Sequence, residues 1–127
     1  MAITYALSGG TSIQDLLGNG HIVFGSITVT AGANAVVTSN DASLSVVRNA
    51  SGDYTMTFGE PFVSIPYAHL QPLRTTFATS SAVTVEVYAA STSAISFNVV
   101  TNTTAGTVTA LGELADVHFI VVGKRLN

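Results

Sequence analysis

Large apolar residues in this chain recur at every second position, in bursts too short for a helix. Tyr54-Thr55-Met56-Thr57-Phe58 puts three large side chains on one face and two threonines on the other. Val83, Val85 and Val87 alternate with Thr84, Glu86 and Tyr88, and Ile95, Phe97 and Val99 alternate with Ser96 and Asn98. A period of two is the signature of a strand with one face on a core. Turn formers separate the bursts at intervals of about 8–12 residues, with Asn49-Ala50-Ser51-Gly52-Asp53 the clearest turn. The pattern predicts eight to ten short strands and no long helix. It therefore predicts a single all-β domain over residues 1–127, an antiparallel β-sandwich or a jelly-roll-like fold.

The strands do not all carry the same signal. Residues 2–7 alternate weakly, as an edge strand would, and Thr11 to Gly18 has a capping box in Ser12 and Asp15 with a glycine stop, which fits one helical turn. In residues 21–30, Ile22 and Phe24 share one parity while Ile27 and Val29 share the other. A parity change inside a strand requires a bulge or bend, and Gly25 stands between the two halves, where a glycine supplies that conformation. Short strands follow at 35–39, 43–48 and 54–59. Pro61 and Pro66 frame Phe62-Val63-Ser64-Ile65, which reads as an edge or a crossing between sheets because proline cannot donate to a ladder. A strand around Leu73 and Phe77 is interrupted by Pro72, and Thr101 to Gly106 reads as a polar loop before a short strand at 107–110. The last strand, 115–122, is apolar on both faces in its later half, which predicts a central position or burial against a neighbouring subunit.

Composition narrows the function classes. The 127 residues are 47% hydrophobic but include only 4 basic and 7 acidic side chains, whereas soluble domains average about 25% charged residues. That leaves more apolar surface than one small domain hides, so part of the surface is expected to meet protein. Val117, Phe119 and Val121, or the opposite face with Ile120 and Val122, are the expected self-association contacts. The four bases, Arg48, Arg74, Lys124 and Arg125, are scattered, and a Lys-Arg pair at a chain end reads as a solvated tail; nucleic acid is not an expected partner. The longest unbroken apolar run, Phe119 to Val122, is far below the ~20 residues of a membrane span, and residues 1–5 lack the basic flank and apolar core of a signal peptide, so neither membrane nor secretory routing is expected.

Reactive constellations do not emerge. Without cysteine there is no disulfide framework and no thiolate metal site. His21, His69 and His118 stand in three separate segments without metal-ligand spacing, so no metal and no cofactor is expected. No serine lies in a Gly-x-Ser-x-Gly elbow. Asp53, Glu60, Glu86, Glu113 and Asp116 are the acids that would have to converge for glycoside hydrolysis, but three of them fall in turns. The Asn49 and Asn102 glycosylation patterns are coincidental in a chain this rich in Asn, Ser and Thr. The expected protein is not an enzyme. Tyr67 and Tyr88 are the residues best suited to stacking on a sugar or other receptor group.

The run Ser43-Leu44-Ser45-Val46-Val47-Arg48-Asn49-Ala50-Ser51-Gly52-Asp53-Tyr54-Thr55-Met56-Thr57-Phe58, followed by Pro61-Phe62 and Pro66-Tyr67-Ala68, resembles a module of tailed-bacteriophage virion proteins, as does the closing Val117 to Gly123 strand. It is similar to small β-sandwich modules of head decoration, head fibre and tail fibre proteins. The resemblance implies a virion surface protein, commonly a homotrimer, with no catalytic residues, made in the host cytoplasm and released by lysis. A chain with its own Met1 and no shaft is expected to be an add-on that decorates the capsid, bound to the major capsid protein. A receptor- or carbohydrate-binding module of a fibre is the alternative.

Overall fold

The computed structural model describes residues 20–74, 81–103, 108–111 and 115–125. The expected strand at 2–7, the helical turn at 11–18, Phe77 and the turn at 112–113 lie outside the described residues. Nine strands are described: β1 Gly20–Thr28, β2 Val36–Ser39, β3 Ser45–Ala50, β4 Asp53–Thr57, β5 Tyr67–Leu73, β6 Ser81–Ala90, β7 Ala94–Thr103, β8 Val108–Leu111 and β9 Asp116–Lys124. They form two antiparallel sheets. One has four strands in the order β2-β1-β9-β5; the other runs β3-β4-β7-β6, with β8 also paired to β7 on the side away from β6. The chain is an all-β sandwich.

One continuous core fills the space between the sheets. The four-stranded sheet contributes Val23, Ile27, Val117, Phe119 and Val121, and the other contributes Val46, Tyr54, Met56, Ile95, Phe97 and Val99. Alternation decides this directly: Tyr54, Met56 and Phe58 all point inward, as their shared parity predicts. Tyr54 lies directly across from Phe97, and their rings stack with centroids 5.6 Å apart. Gly52 at φ 70° closes the β3–β4 turn in the left-handed region that glycine enters without steric strain.

Strand β1 departs from the expected bulge. It pairs with β9 without a register shift from Gly20 to Ile27, so Val23, Gly25 and Ile27 share the inner face and Phe24 points out. Gly25 serves close approach rather than curvature. A Cβ there would collide with the Thr38 carbonyl oxygen and lie 3.0 Å from the Phe119 ring, so the missing side chain is the space that ring occupies. Strand β7 also runs through Thr103, where a polar loop was expected from residue 101, because ladder pairing to β6 continues as far as Thr103.

Residues 58–66 cross from one sheet to the other. The Phe58 and Phe62 N–H groups donate to the Ser93 and Thr92 carbonyls (both 2.9 Å), and Val63 N–H donates to the Lys124 carbonyl at 2.7 Å. The Phe58 and Phe62 rings meet edge to face, centroids 5.0 Å apart. Strand β5 is an edge strand, which is why Pro72 is tolerated inside it.

Candidate functional site

Two outer faces and one buried ion pair carry the side chains that packing alone leaves unexplained. The outer face of the four-stranded sheet follows from register. Ile120 of β9 sits between Phe24 on β1 and His69 on β5; Val122 sits between Ile22 and Tyr67; His118 sits between Ser26 and Gln71. Phe24, Ile120 and Tyr67 are 54%, 40% and 71% exposed, so an apolar patch spans three strands of the sheet. Val117, Phe119 and Val121 are committed to the core, which leaves Ile120 and Val122 as the strand's outward apolar pair.

Next to Phe24 the rim of β1 is closed by side chains. Asn40 accepts from the Phe24 N–H at Oδ1 and donates from Nδ2 to the Ile22 carbonyl, both at 2.8 Å, while the Ser39 hydroxyl donates to the Phe24 carbonyl at 2.9 Å. An amide side chain thus continues the ladder where β2 ends, which blunts an edge open to further strand pairing. A cleft of about 440 Å³ opens between these residues and His118.

The outer face of the other sheet is mostly polar, apart from the exposed Val47, and is organised around Asp53. Glu86 of β6, Asn98 of β7 and Asp53 of β4 lie directly across from one another in one row. Tyr88 OH donates to Asp53 Oδ1 at 2.7 Å, and Asn49 Nδ2 approaches the same oxygen at 3.4 Å while donating to Thr55 Oγ1 at 2.9 Å. Thr55 and Ser96 share a hydroxyl contact of 3.0 Å. The hydrogen bond to Asp53 holds the phenol's pKa above its usual value, because loss of the proton would remove that bond and set two anions together. Asn49 and Tyr88 each sit at a register irregularity, between Arg48 and Ala50 on β3 and between Val87 and Ala89 on β6.

Arg125 was expected in a solvated tail, but it is 6% exposed. Its Nη2 pairs with Asp41 Oδ2 at 2.8 Å, Nη1 stands 3.9 Å from Glu60 Oε2, and the guanidinium lies 4.6 Å above the Phe62 ring centroid. Asp41 and Phe62 belong to two of the crossings between sheets, so Arg125 ties both to the end of β9. Burial raises the Asp41 pKa, but hydrogen bonds from Ser43 and Arg125 outweigh it and leave the carboxyl below its usual value. A basic dipeptide at a chain end carries no sign in its sequence that one member will fold back.

The tyrosines singled out from the sequence lie on opposite sheets: Tyr67 on the apolar face and Tyr88 on the polar one. The acids are also dispersed, since Asp53 and Glu86 share a face while Glu60 is beside Arg125 and Asp116 accepts from the Val29 N–H at 2.9 Å; Glu113 lies outside the described residues. Among the described residues, no three His, Asp or Glu side chains stand close enough to hold a metal ion, and no helix is long and apolar enough to cross a membrane. Asn49 and Phe24 were not foreseen at these sites, and Asp53 was weighed only among the acids of a possible hydrolase; the Asn49-to-Asp53 turn is the signal that could have joined them. No known protein family, curated protein or solved structure matches the chain.

Proposed function

We propose that this chain is a non-enzymatic structural protein of a tailed-bacteriophage particle that docks on other protein through the outer face of its four-stranded sheet. The observation that carries the reading is the patch of Phe24, Ile120, Val122 and Tyr67, laid across three strands with large side chains held in solvent. Exposed apolar groups gathered on one sheet face gain by burial against a matching surface. The capsid shell, built on the major capsid protein, is the proposed docking surface, and a trimer of this chain, assembled through part of this face and docking with the rest, is the proposed docking unit. Its place is the outside of the virion, after synthesis in the host cytoplasm and release by lysis. Binding the assembled shell but not its dissociated subunits stabilises the shell by mass action, by about 2.7 kcal/mol at a hundredfold excess over Kd.

Co-sedimentation with purified capsid shells tests this. The protein should pellet with the shells, and Phe24→Asp, which leaves the core untouched, should stay in the supernatant. Equal pelleting of both proteins would remove the patch from the docking surface, and electron cryo-microscopy density confined to the tail would overturn the capsid placement.

A further inference from the structure

The polar face holds an arrangement that docking by the opposite sheet does not use. Two edge strands each carry a bulge, and the residue at each bulge sends its side chain to the same atom, Asp53 Oδ1. Bulges re-aim side chains and recur beside functional sites. The Tyr88 end of this arrangement has a geometric consequence. Tyr88 is on β6 and Asp53 on β4, with β7 between them, so the bond spans two strand spacings, roughly 9–10 Å. A tyrosine bridges that gap only by lying down along the sheet, over Ser96. The bond to Asp53 fixes the end of the ring, and the residue remains 52% exposed.

We infer that this face is a binding site for a neutral pyranose sugar, with the Tyr88 ring as the platform and Asp53, Asn98 and Glu86 as the hydrogen-bonding rim. A pyranose has one face of C–H groups that packs on an aromatic ring and an equator of hydroxyls that needs donors and acceptors of mixed kind. Asp53 accepts from Tyr88 and Asn49 at Oδ1, and among the described residues nothing bonds Oδ2, which is offered to vicinal hydroxyls; Asn98 and Glu86 continue the same row. Ligand charge is decided by what is absent among the described residues of the face. By register it carries Asp53 and Glu86 but none of the four bases, since Arg48 lies opposite Tyr54 and the other three belong to the far sheet or its end. Uronic acids, sialic acids and phosphates are repelled, and neutral hexoses are admitted. The ring is fixed before the ligand arrives, so binding does not have to order it.

Titration of the full isotope-labelled protein with methyl glycosides of neutral hexoses, set beside the matching uronic acids, tests the site by NMR. Neutral sugars should give saturable shifts at Ser96, Asn98 and Tyr88 with Kd of about 1 mM, and uronic acids should give none. Tyr88→Ala should weaken binding roughly tenfold or more, and Tyr88→Phe, which keeps the ring but releases the pin, by a smaller factor. Tyr67→Ala on the opposite sheet should bind as the parent does. If Tyr88→Ala does not fold, Asp53→Asn reports on the same face and should also weaken binding. Absence of saturable shifts with every neutral hexose, equal binding of uronic acids, or an equal loss in Tyr67→Ala would overturn the proposal. None of these results bears on capsid docking, which uses the other sheet.

Discussion

Arg125 and Asp41 show how much one buried pair can hold. The guanidinium satisfies the carboxylate and stacks on Phe62, while its Nε has no hydrogen-bond partner among the described residues. Arg125→Ala would leave Asp41 ionised and enclosed, so a loss of about 3 kcal/mol is expected, measured by chemical denaturation. The pair also sets an acid limit. Asp41 has a lower pKa folded than unfolded, so its contribution is fully present above the unfolded value near 3.9 and is lost as pH falls through the lower folded value. A melting-temperature series should therefore show the parent's advantage over Asp41→Asn above about pH 4 and the two converging below it. An advantage undiminished from neutral pH down to about pH 2 would rule out the ion pair as its source. Gly25 is the second residue whose role is local. Gly25→Ala would press a methyl into the β2 backbone and the Phe119 ring, and a loss of about 1–3 kcal/mol should follow.

Strand β9 separates inward from outward more sharply than its sequence does. Val117, Phe119 and Val121 meet the core while His118 and Ile120 face out, although Phe119 to Val122 reads as an unbroken apolar run. Phe119→Ala should cost about 3–5 kcal/mol through cavity formation, whereas Ile120→Ser should change stability by no more than about 0.5 kcal/mol. Urea titration of both variants checks the assignment, and equal losses would contradict it. What the sequence disclosed and what it hid follows from the same physics. Alternation is enforced wherever a sheet has one wet face, so Tyr54, Met56 and Phe58 were legible, as were the hairpin of Val83 to Val99 and the two-sheet architecture. It fails where an outward position is itself apolar. Phe24 and Ile22 imitated an inner face and implied an irregularity at Gly25, while register shifts fall at Asn49, at Tyr88 and between Val100 and Thr101, the last two within runs whose alternation looked regular. Which outer face Tyr67 and Tyr88 occupy depends on the strand order 2-1-9-5 and 3-4-7-6, a property of long-range pairing that no local spacing encodes.

At the scale of the whole molecule the two faces of the sandwich have opposite characters, one apolar and one polar, and a chain with 11 charged residues has little else to keep copies apart. A patch on the order of 300 Å² per copy yields a gross gain of roughly 15 kcal/mol for a pair at 25 cal/mol per Å². Association removes about 4–15 kcal/mol in lost freedom, so the net is modest and assembly in the micromolar range is expected. Sedimentation should then find an oligomer, a trimer if the phage resemblance holds, with the 13.0 kDa monomer recovered in Ile120→Asp. The interaction has an apolar origin, and that fixes its response to conditions. Screening should leave it almost unchanged between about 0.05 and 0.5 M sodium chloride. Sulfate should strengthen it and cooling should weaken it, because burial of apolar surface loses its driving force in the cold. Dissociation by ordinary salt would instead mean that charge pairs hold the copies together. The few ions on the patch side, Asp116 and Lys124 at the two ends of β9, would then be the place to look.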